Sequence, residues 1–579
     1  MSLRQFTIRL TLEKHSTFFK ELKLIHKGRA IAKMTEGNSA RRSRGEMLAK
    51  SLSIWNQFLL SFFFLLIYIP ILSCSNPIVT RNQPIQGIGT KYMISTDHPL
   101  ATKAGLEVLE KGGNLFDAFV AASFAISVVR PQSTGLMGGG FAVLYRKQFY
   151  AFDFRERAPQ LAQSKMYLDA NGKPTQNSLK GFLSIAVPGN VKGLALIHKR
   201  FGKLPFSDVL APSLRYARDG FEVYGDLESA VRSAWKDFNP EAKQIFKSPT
   251  SESMEKPISS GEILVQKDLA ETISSIQKTY GECFYSGNVA RIISTEVEKE
   301  KGILRKNDLV SYKVNEVKPI FLNWENMRLA TMPLPSSGVF LFQMLKASSD
   351  KNWIQDEKED PKNFYLGLVT IMKNAYANRW KYGSDPKFSG IDTNSLLKDK
   401  VNTTHISLLD SEGNGISSTQ SINYSFGSRV VIPKTGLVAN DTMDDFSVAV
   451  GVPNAYGLVG TEINAIAPNK TPLSSMSPIV GVQNGKSVLA IGAPGGSEIP
   501  TSIYQTLINY FLLNYDLAES VSRKRLHHQY KPETVFGEFN PGFSYEKRGS
   551  RAKVFAVIRK DEKLIGVVDP RGQGSAEGK

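Results

Sequence analysis

Histidine is scarce in this chain, and several familiar catalytic motifs are absent. The 579 residues include seven histidines, and none has metal-ligand spacing with another histidine, a cysteine or a carboxylate. Neither an H-E-x-x-H nor a G-x-S-x-G motif occurs. Adjacent Asp444 and Asp445 would point in opposite directions on an extended chain, which makes them a poor metal pair. His527 and His528 stand in a basic stretch that is typical of solvated surface. The sequence therefore predicts no metal and no cofactor.

Signals for phosphate or nucleic-acid binding are weak as well. The segment GVQNGKS at residues 481–487 is one residue short of a phosphate-binding loop, and no helix is predicted after it. The formal net charge is +18, but residues 1–50 alone hold twelve Lys/Arg against four Asp/Glu. The sequence has no aromatic-interleaved basic stripe and no nucleic-acid motif. We therefore expect no nucleic-acid partner.

Residues 58–72 form an apolar run of fifteen residues. That length is short for a membrane-spanning helix and typical of the core of a signal peptide. Residues 47–73 have the proportions of a complete signal peptide, and the ILSC that ends at Cys74 resembles a bacterial lipobox. Lipid on Cys74 would then be the membrane anchor. Secretion without lipid and an uncleaved anchor helix are the alternatives. Residues 1–46 would be a translation-start artefact or a disordered basic extension.

Cys74 and Cys283 are the only cysteines. All three interpretations of residues 47–73 place the body of the protein outside the cytoplasm, in the periplasm or cell envelope if it is a lipoprotein. Cys283 then has no intrachain disulfide partner. We expect it to be a buried, small apolar residue.

From about residue 87 onward the sequence is an ordinary globular mixture of helical and strand patterns. Helical periodicity covers residues 97–129, with a break at Gly112-Gly113, and then much of 187–300 and 362–383. Strand patterns cover residues 133–159 and the hairpins 404–423 and 477–496, the last with a turn at Asn484-Gly485. This order predicts a layered α+β fold rather than a doubly wound parallel sheet.

The stretch NTTHISLLD at residues 402–410 combines two threonines with a strand pattern. Asn402-Thr403-Thr404 also fits the N-glycosylation pattern, and threonine favours strands, so a strand start is the simplest local interpretation. A hydrolase without a histidine base could instead use an N-terminal threonine. Its α-amine has a pKa of about 7.7–8.0 and can accept a proton near neutral pH. That role requires the chain to cut itself between Asn402 and Thr403.

Motifs along most of the chain resemble those of the γ-glutamyltransferase (glutathione hydrolase) family of N-terminal nucleophile enzymes. Before residue 403 they include STDHPLATKAGLEVLEKGGNLFDA, GLMGGGF, DFRERAP, VPGNVKGL, MPLPSSGV and AYANRWKYGSDPKF. From residue 403 they are TTHISLLDSEGNG, NYSFGS, NDTMDDFS, PLSSMSPIV, APGGSEIP and DPRGQG. Together they span roughly residues 87–575 in the family's order, which is far more specific than any single motif.

The resemblance implies a four-layer αββα sandwich and a precursor that cleaves itself before Thr403. Residues 75–402 would form a large chain and residues 403–579 a small catalytic chain. The two chains would make one domain and associate as a heterodimer.

The resemblance also implies the chemistry of the nucleophile. The hydroxyl of Thr403 would attack the γ-glutamyl carbonyl, and its newly formed α-amine would accept the proton. Gly495-Gly496 match the glycine pair that stabilises the oxyanion. Ser421 matches a family threonine that hydrogen-bonds near the nucleophile's amine.

Other positions match the residues that bind the γ-glutamyl head group. They are Arg155 and Ser474-Ser475 for the α-carboxylate, Asp445 and Asn423 for the α-ammonium, and Tyr456 in a lid loop within VAVGVPNAYGLVG. Two positions depart from the family pattern. Thr442 replaces a Glu or Gln that contacts the ammonium, and Val339 replaces a glycine.

The implied substrates are glutathione and other γ-glutamyl small molecules. Water, or the amine of an amino acid or dipeptide, would be the acceptor. A poly-γ-glutamate depolymerase and an acylase of the same fold are the enzymatic alternatives. Arg155, Asp445 and Ser474-Ser475 favour a free glutamyl head group over the acylase. An alternative of another class is an unprocessed, inactive surface lipoprotein.

Overall fold

The computed structural model describes residues 83–253, 255–349, 352–396 and 404–579. The predicted signal peptide, Cys74 and the Asn402-Thr403 junction lie outside these residues. In the described stretches, no helix combines the length and the apolar character needed to cross a membrane. Cys283 is buried, as the sequence predicts.

The strands are short and pair almost entirely in antiparallel fashion. In chain order they are β1 (Ile85–Gly89), β2 (Tyr92–Thr96), β3 (Gly139–Arg146), β4 (Gln148–Asp153), β5 (Phe221–Glu222), β6 (Ile263–Leu264), β7 (Asn315–Val317), β8 (Ile320–Trp324), β9 (Met327–Thr331), β10 (Thr404–Asp410), β11 (Gly415–Ser421), β12 (Val431–Ile432), β13 (Leu437–Val438), β14 (Ile479–Gln483), β15 (Lys486–Gly492), β16 (Leu526–His528), β17 (Val535–Gly537), β18 (Glu546–Lys547), β19 (Phe555–Lys560), β20 (Lys563–Val568) and β21 (Ser575–Gly578).

Most helices lie before the predicted cleavage point. They are α1 (Pro99–Glu110), α2 (Leu115–Val129), α3 (Asn190–Phe201), α4 (Phe206–Asp219), α5 (Gly225–Ala234), α6 (Pro240–Phe246), α7 (Lys267–Thr279), α8 (Glu282–Tyr285), α9 (Asn288–Lys299), α10 (Lys306–Ser311), α11 (Gly338–Ala347), α12 (Asp356–Glu359), α13 (Pro361–Tyr382), α14 (Pro386–Ser389), α15 (Thr393–Leu396), α16 (Ile499–Leu507) and α17 (Leu517–Ser522). Short 3₁₀ turns include Thr442–Asp445 and Gly496–Glu498.

Two seven-stranded antiparallel sheets form the centre of the molecule. The first sheet has the order β21-β2-β10-β11-β3-β4-β7, and the second has the order β1-β20-β19-β15-β14-β9-β8. The sheets face each other, because β10 and β11 pack against β15 and β2 packs against β20. Helices cover both outer faces: α2 packs on β10 and β11, and α11 and α16 pack on β8 and β15. This is the predicted four-layer αββα sandwich.

The local sequence explains the helix that supports the first sheet. Asn114 caps α2, with Asp117 completing a capping box. All fifteen residues of α2 are buried, since it lies between the first sheet and the outer helices α1 and α4. A helix that is apolar on every side fits such a position. The strands β10 and β11 are likewise enclosed, and every residue of β11 is buried.

The chain segments before and after the predicted cleavage point share both sheets. In the first sheet, β10 lies between β2 and β11, and β11 pairs with β3 on its other side. In the second sheet, β14 pairs with β9, and β20 pairs with β1. The two segments therefore build one common core rather than two separate domains.

Several local predictions are confirmed. The helices before and after Gly112-Gly113 form, and so do both predicted hairpins. Asn484 and Gly485 have φ angles of 50° and 74°, as a type I′ turn requires. The GVQNGKS segment is thus a hairpin and not a phosphate-binding loop.

Candidate active site

The predicted cleavage point lies at the start of a central strand. β10 begins at Thr404, directly after the undescribed residues 397–403. Asn402 and Thr403 are outside the described residues, so their roles stay predictions. The backbone of Thr404 pairs with Gln420, and the next residue along β11 is the buried Ser421. The beginning of β10 is therefore held against the end of β11, beside the residues described next.

Ser421, Asn423 and Tyr456 form a hydrogen-bonded chain from the end of β11 to the predicted lid. The hydroxyl oxygen of Ser421 accepts from the backbone N–H of Asn423 at 2.8 Å. The carbonyl oxygen of Asn423 accepts from the Tyr456 hydroxyl at 3.0 Å. The Tyr456 ring stacks on Tyr424 with centroids 4.4 Å apart. The structure therefore joins three predicted site residues in one network.

Arg155 and Asp445 are in direct contact. One Nη of Arg155 donates to Oδ2 of Asp445, and the other donates to Oε2 of Glu156 at 2.8 Å. The Arg155 side chain is only 1% exposed. Burial opposes its charge, but the carboxylates of Glu156 and Asp445 outweigh burial and raise the pKa of the guanidinium. Burial raises the pKa of Asp445, while Arg155 acts in the opposite direction.

Thr442, which departs from the family pattern, points toward this ion pair. Its hydroxyl donates to Oε1 of Glu156 at 2.8 Å, and its backbone N–H donates to Asn440 at 3.1 Å. Thr442 is fully buried. Thr442, although shorter than the Glu or Gln of the family pattern, therefore fixes Glu156. Glu156 in turn holds Arg155.

Asp444 and Asp445 face the same cavity, contrary to the sequence interpretation. The expectation of opposite directions assumed an extended chain, whereas Thr442–Asp445 is a 3₁₀ turn. Oδ1 of Asp444 accepts from the Ser178 hydroxyl at 2.7 Å. Burial, together with the nearby charge of Asp445, raises the pKa of Asp444 to about 7. In the described part of the chain, no group of three His, Cys, Asp or Glu residues could hold a metal ion.

Gly495 and Gly496 form a tight turn after β15. Their φ angles are 133° and 65°, and a Cβ atom at Gly495 would collide with the backbone of Ala552. The hydroxyl of Tyr376, on α13, donates to the carbonyl oxygen of Ser497. The turn therefore needs glycine and is held from both sides.

The serine pair is positioned by the MPLPSSGV motif of the large segment. The backbone N–H of Ser474 donates to the carbonyl oxygen of Pro335 at 2.8 Å. The carbonyl oxygen of Ser474 accepts from the Ser337 hydroxyl at 2.7 Å. Ser475 follows on the cavity wall. The two motifs were separate signals in the sequence, and the structure brings them together.

A cavity of about 470 Å³ lies beside these residues. Among the predicted site residues, Asp445 and Ser475 line it, and two parts of the predicted lid, residues 452–455 and 458–460, form one wall. Arg155 lies beneath Asp445, through which it is linked to the cavity. The volume is within the range of small-molecule sites, about 300–1,000 Å³.

The histidines on strands β10 and β16 are buried and have structural roles. His405 lies between the sheets, where it hydrogen-bonds Thr419 at 3.0 Å and Ser407 at 2.7 Å. Burial lowers its pKa to about 3, so it is neutral. The prediction that His527 and His528 are solvated surface is wrong: they belong to β16 and are 4% and 2% exposed.

The basic stretch around β16 misled the sequence interpretation because one of its charges is internal. Arg525 is itself buried and pairs with Asp569 at 2.6 Å. His527 hydrogen-bonds Thr501 at 2.9 Å and Gln529 at 3.0 Å. Paired polar groups of this kind can be buried without a large free-energy cost.

Sequence reasoning missed three residues of this region. Glu156 holds Arg155, while Arg379 and Trp380 line the cavity from the end of α13. The only available signal was their position inside the motifs DFRERAP and AYANRWKYGSDPKF. Nothing in the local pattern distinguished Arg379 from a surface arginine.

Comparisons with known proteins identify the family of this chain. The family model described as gamma-glutamyltranspeptidase matches residues 101–578. The chain belongs to the γ-glutamyltranspeptidase family. A relative from Pseudomonas aeruginosa PAO1, named glutathione hydrolase proenzyme, is 36% identical over 519 residues, covering 82% of this chain and 92% of the relative. The chain is therefore an enzyme of the γ-glutamyltransferase class.

Solved structures support the fold of this family member. The γ-glutamyltranspeptidase of Helicobacter pylori is 32% identical with a TM-score of 0.50, covering 52% of this chain and 87% of that chain. A cephalosporin acylase from Bacillus halodurans superposes with a TM-score of 0.76 at 23% identity, covering 87% of this chain and 98% of that chain. The acylase shares the fold, and its low identity carries no conclusion about activity.

Proposed function

We propose that this γ-glutamyltransferase is made as a precursor, cuts itself before Thr403, and cleaves the γ-glutamyl bond of glutathione and related compounds. The observation that carries the proposal is where the T-T-H motif falls in the fold. The T-T-H motif leads directly into β10, whose start is held beside Ser421, in a chain that matches the family over residues 101–578.

The proposed reaction begins at the threonine. Thr403 Oγ attacks the γ-carbonyl carbon while the α-amine of Thr403 takes the hydroxyl proton. The backbone N–H groups of Gly495 and Gly496 would stabilise the negative oxygen that forms. Collapse of this intermediate breaks the C–N bond, and the α-amine gives its proton to the departing amine. A γ-glutamyl ester of Thr403 remains.

The ester is then released by a second nucleophile. Water attacks it to give glutamate, or the amine of an amino acid or dipeptide attacks it to give a new γ-glutamyl compound. In both cases the α-amine of Thr403 again accepts the proton and returns it to Oγ. No cofactor takes part in either route.

The head group would bind through paired charges. Arg155 and the Ser474-Ser475 pair would take the α-carboxylate, because a guanidinium fork matches both carboxylate oxygens. Asp445 and Asn423 would take the α-ammonium. The direct pairing of Arg155 with Asp445 supports this assignment, since it places one positive and one negative side chain next to each other, as recognition of a zwitterion requires.

We propose further that residues 47–73 direct the protein out of the cytoplasm and that Cys74 carries the lipid anchor. The support is the sequence pattern alone. Metabolic labelling with a radioactive fatty acid, compared between the natural chain and Cys74→Ser, tests this: label on the natural chain alone is the expected result.

The decisive test of the catalytic proposal uses residues 75–579. The wild-type protein and Thr403→Ala are purified and compared on a denaturing gel, with N-terminal sequencing of any small fragment. Two wild-type bands, the smaller beginning Thr403-Thr404-His405, and one band in the variant are expected. Glutamate release from glutathione should follow the two-band form only.

A single uncut wild-type band with no glutamate release would overturn the proposal. The unprocessed surface lipoprotein would then explain the chain better. A wild-type protein that is cut but releases no glutamate would support Thr403 as the nucleophile and would contradict glutathione as the substrate.

A further inference from the structure

A buried arginine, Arg379, stands on the cavity wall, and none of the carboxylates that the structure describes is in contact with it. The structure describes four arginines as buried, and three of them pair with acids: Arg130 with Asp226 at 2.7 Å, Arg155 with Glu156 at 2.8 Å, and Arg525 with Asp569 at 2.6 Å. The fourth, Arg379, is 8% exposed and lines the cavity.

Arg379 has spare hydrogen-bonding capacity. Its Nε has no partner among the described residues. Burial lowers its pKa to about 10, and the nearby Tyr376 and Asp445 act in the opposite direction, so the guanidinium is charged at neutral pH. Keeping an unpaired charge buried costs free energy, which a bound anion would recover.

The position of Arg379 relates it to the reacting end of the site. Tyr376 lies one helical turn before it on α13, on the same face, and donates to the carbonyl oxygen of Ser497 directly after Gly496. The arginine is therefore held near the turn that is proposed to receive the oxyanion. Trp380 continues the same wall.

Arg379 is not among the residues that are proposed to bind the γ-glutamyl head group. The head group is a zwitterion, and Arg155, Asp445 and the serine pair supply one partner for each of its charges. A second carboxylate is the ligand that the planar fork of Arg379 fits best. In glutathione-like donors and dipeptide acceptors, that carboxylate lies on the half that leaves or attacks.

We propose that Arg379 binds the carboxylate of the leaving group or acceptor, and so selects γ-glutamyl compounds whose other half is acidic. This inference rests on the proposed function, because it concerns the second half of the same substrate. Arg379 would be a specificity residue rather than a participant in bond breaking.

The test compares two donors that differ in one group: glutathione and glutathione with its glycine carboxylate converted to an amide. Wild-type enzyme should prefer glutathione in kcat/KM. Arg379→Gln should lower kcat/KM for glutathione about 10-fold or more, the usual effect of one charge-assisted hydrogen bond. It should leave the amide within about twofold of wild type, so the preference disappears.

Control variants separate this effect from general damage. Lys373→Gln removes a positive charge from the exposed side of the same helix, where it pairs with Glu533, and should keep the wild-type preference. Arg379→Lys should restore part of the preference, because it keeps the charge but loses the fork. The fraction of self-cleaved protein on a denaturing gel reports the active fraction in each preparation.

A matched pair of acceptors distinguishes the two sources of the carboxylate. Transfer to glycylglycine and to glycylglycine amide is measured for wild type and Arg379→Gln. Loss of discrimination between acceptors assigns Arg379 to the acceptor, and loss between donors assigns it to the leaving group.

Equal losses on acidic and amide substrates, or a wild-type enzyme that does not distinguish them, would overturn the inference and leave the proposed function intact. Failure of wild type on every γ-glutamyl compound would instead reject the proposed function, and this inference with it.

Discussion

The carboxylate of Asp445 lies between the cavity and Arg155. A cation bound in the cavity would therefore compete with Arg155 for it. An incoming α-ammonium would take over Asp445 while the α-carboxylate takes over Arg155. One ion pair, Arg155–Asp445, would then be replaced by two pairs with the ligand. Neither buried charge would be left alone, which keeps the free-energy cost of separating Arg155 from Asp445 small. Such an exchange would allow the two proposed recognition residues to pair with each other before substrate arrives.

Removing the charge of Asp445 should weaken substrate binding. We expect Asp445→Asn to self-cleave and to lower kcat/KM for glutathione by about 100-fold, mainly through KM, because a charge-assisted contact is lost. Steady-state kinetics measures this. Glu462→Gln, on the exposed end of the same loop region, is the charge-matched control. An unchanged KM in Asp445→Asn would remove Asp445 from the recognition of the ammonium.

Asp444 predicts a pH dependence of stability. Its pKa is about 7 in the folded protein and 3.8 ordinarily, so the folded state binds more protons between these values. The free energy of unfolding attributable to Asp444 therefore falls as pH rises from about 4 to about 7. Asp444→Asn removes this titration and keeps an oxygen for the Ser178 hydroxyl.

The variant should have a stability close to that of wild type at pH 4. At pH 8 it should be more stable by on the order of 1–4 kcal/mol. Chemical denaturation of both proteins at several pH values measures the difference. A constant difference across this range would contradict the assigned titration.

The turn after β15 tests a prediction about an element. Gly495→Ala should destabilise the protein by about 3 kcal/mol or more and abolish activity, since the new Cβ collides with Ala552 and the φ of 133° suits glycine alone. Gly485→Ala is the control. It also loses a positive-φ glycine, but its Cβ would meet open space.

Thermal unfolding of the two glycine variants should show the larger loss at Gly495, with Gly485→Ala costing about 1 kcal/mol. Equal losses would mean that the crowding around Gly495 is relieved by a small backbone shift.

The lid offers a matched pair of tyrosines. The Tyr456 hydroxyl donates to Asn423, whereas the hydroxyl of the stacked Tyr424 is buried without a partner among the described residues. Tyr456→Phe should loosen residues 448–460 by about 0.5–1.5 kcal/mol, and Tyr424→Phe should be neutral or stabilising. Limited proteolysis of the loop gives the comparison. Faster cleavage in Tyr424→Phe than in Tyr456→Phe would contradict the prediction that the Tyr456–Asn423 hydrogen bond stabilises the loop.

The whole molecule depends on strands from both sides of residue 403. Because β10 and β11 complete the first sheet and β9 and β1 complete the second, neither predicted chain has a closed core alone. The processed chains should therefore elute together in gel filtration and unfold in one transition. Separate elution under native conditions would contradict the shared core.

The sequence could specify what depends on neighbours along the chain. Asn484-Gly485 predicted a hairpin through positive φ, and the apolar spacing after Gly112-Gly113 predicted the helix α2. It could not specify the 3₁₀ turn at Thr442–Asp445, which depends on long-range partners such as Glu156 and Ser178. Arg379 was equally hidden, because its burial and its place on the cavity wall arise only when distant segments meet.

The interleaving of strands also determines how the enzyme can recover from denaturation. In the uncut precursor, the linkage at residues 402–403 keeps the two segments at a high effective concentration, and folding is first order. After the proposed cut, the same strands would have to find each other by diffusion, and refolding would become second order. Dilution should then slow recovery of the mature enzyme and leave recovery of the uncut Thr403→Ala chain unaffected. Once the maturation step has created the nucleophile, a molecule that unfolds at low concentration would therefore refold much more slowly than its precursor did.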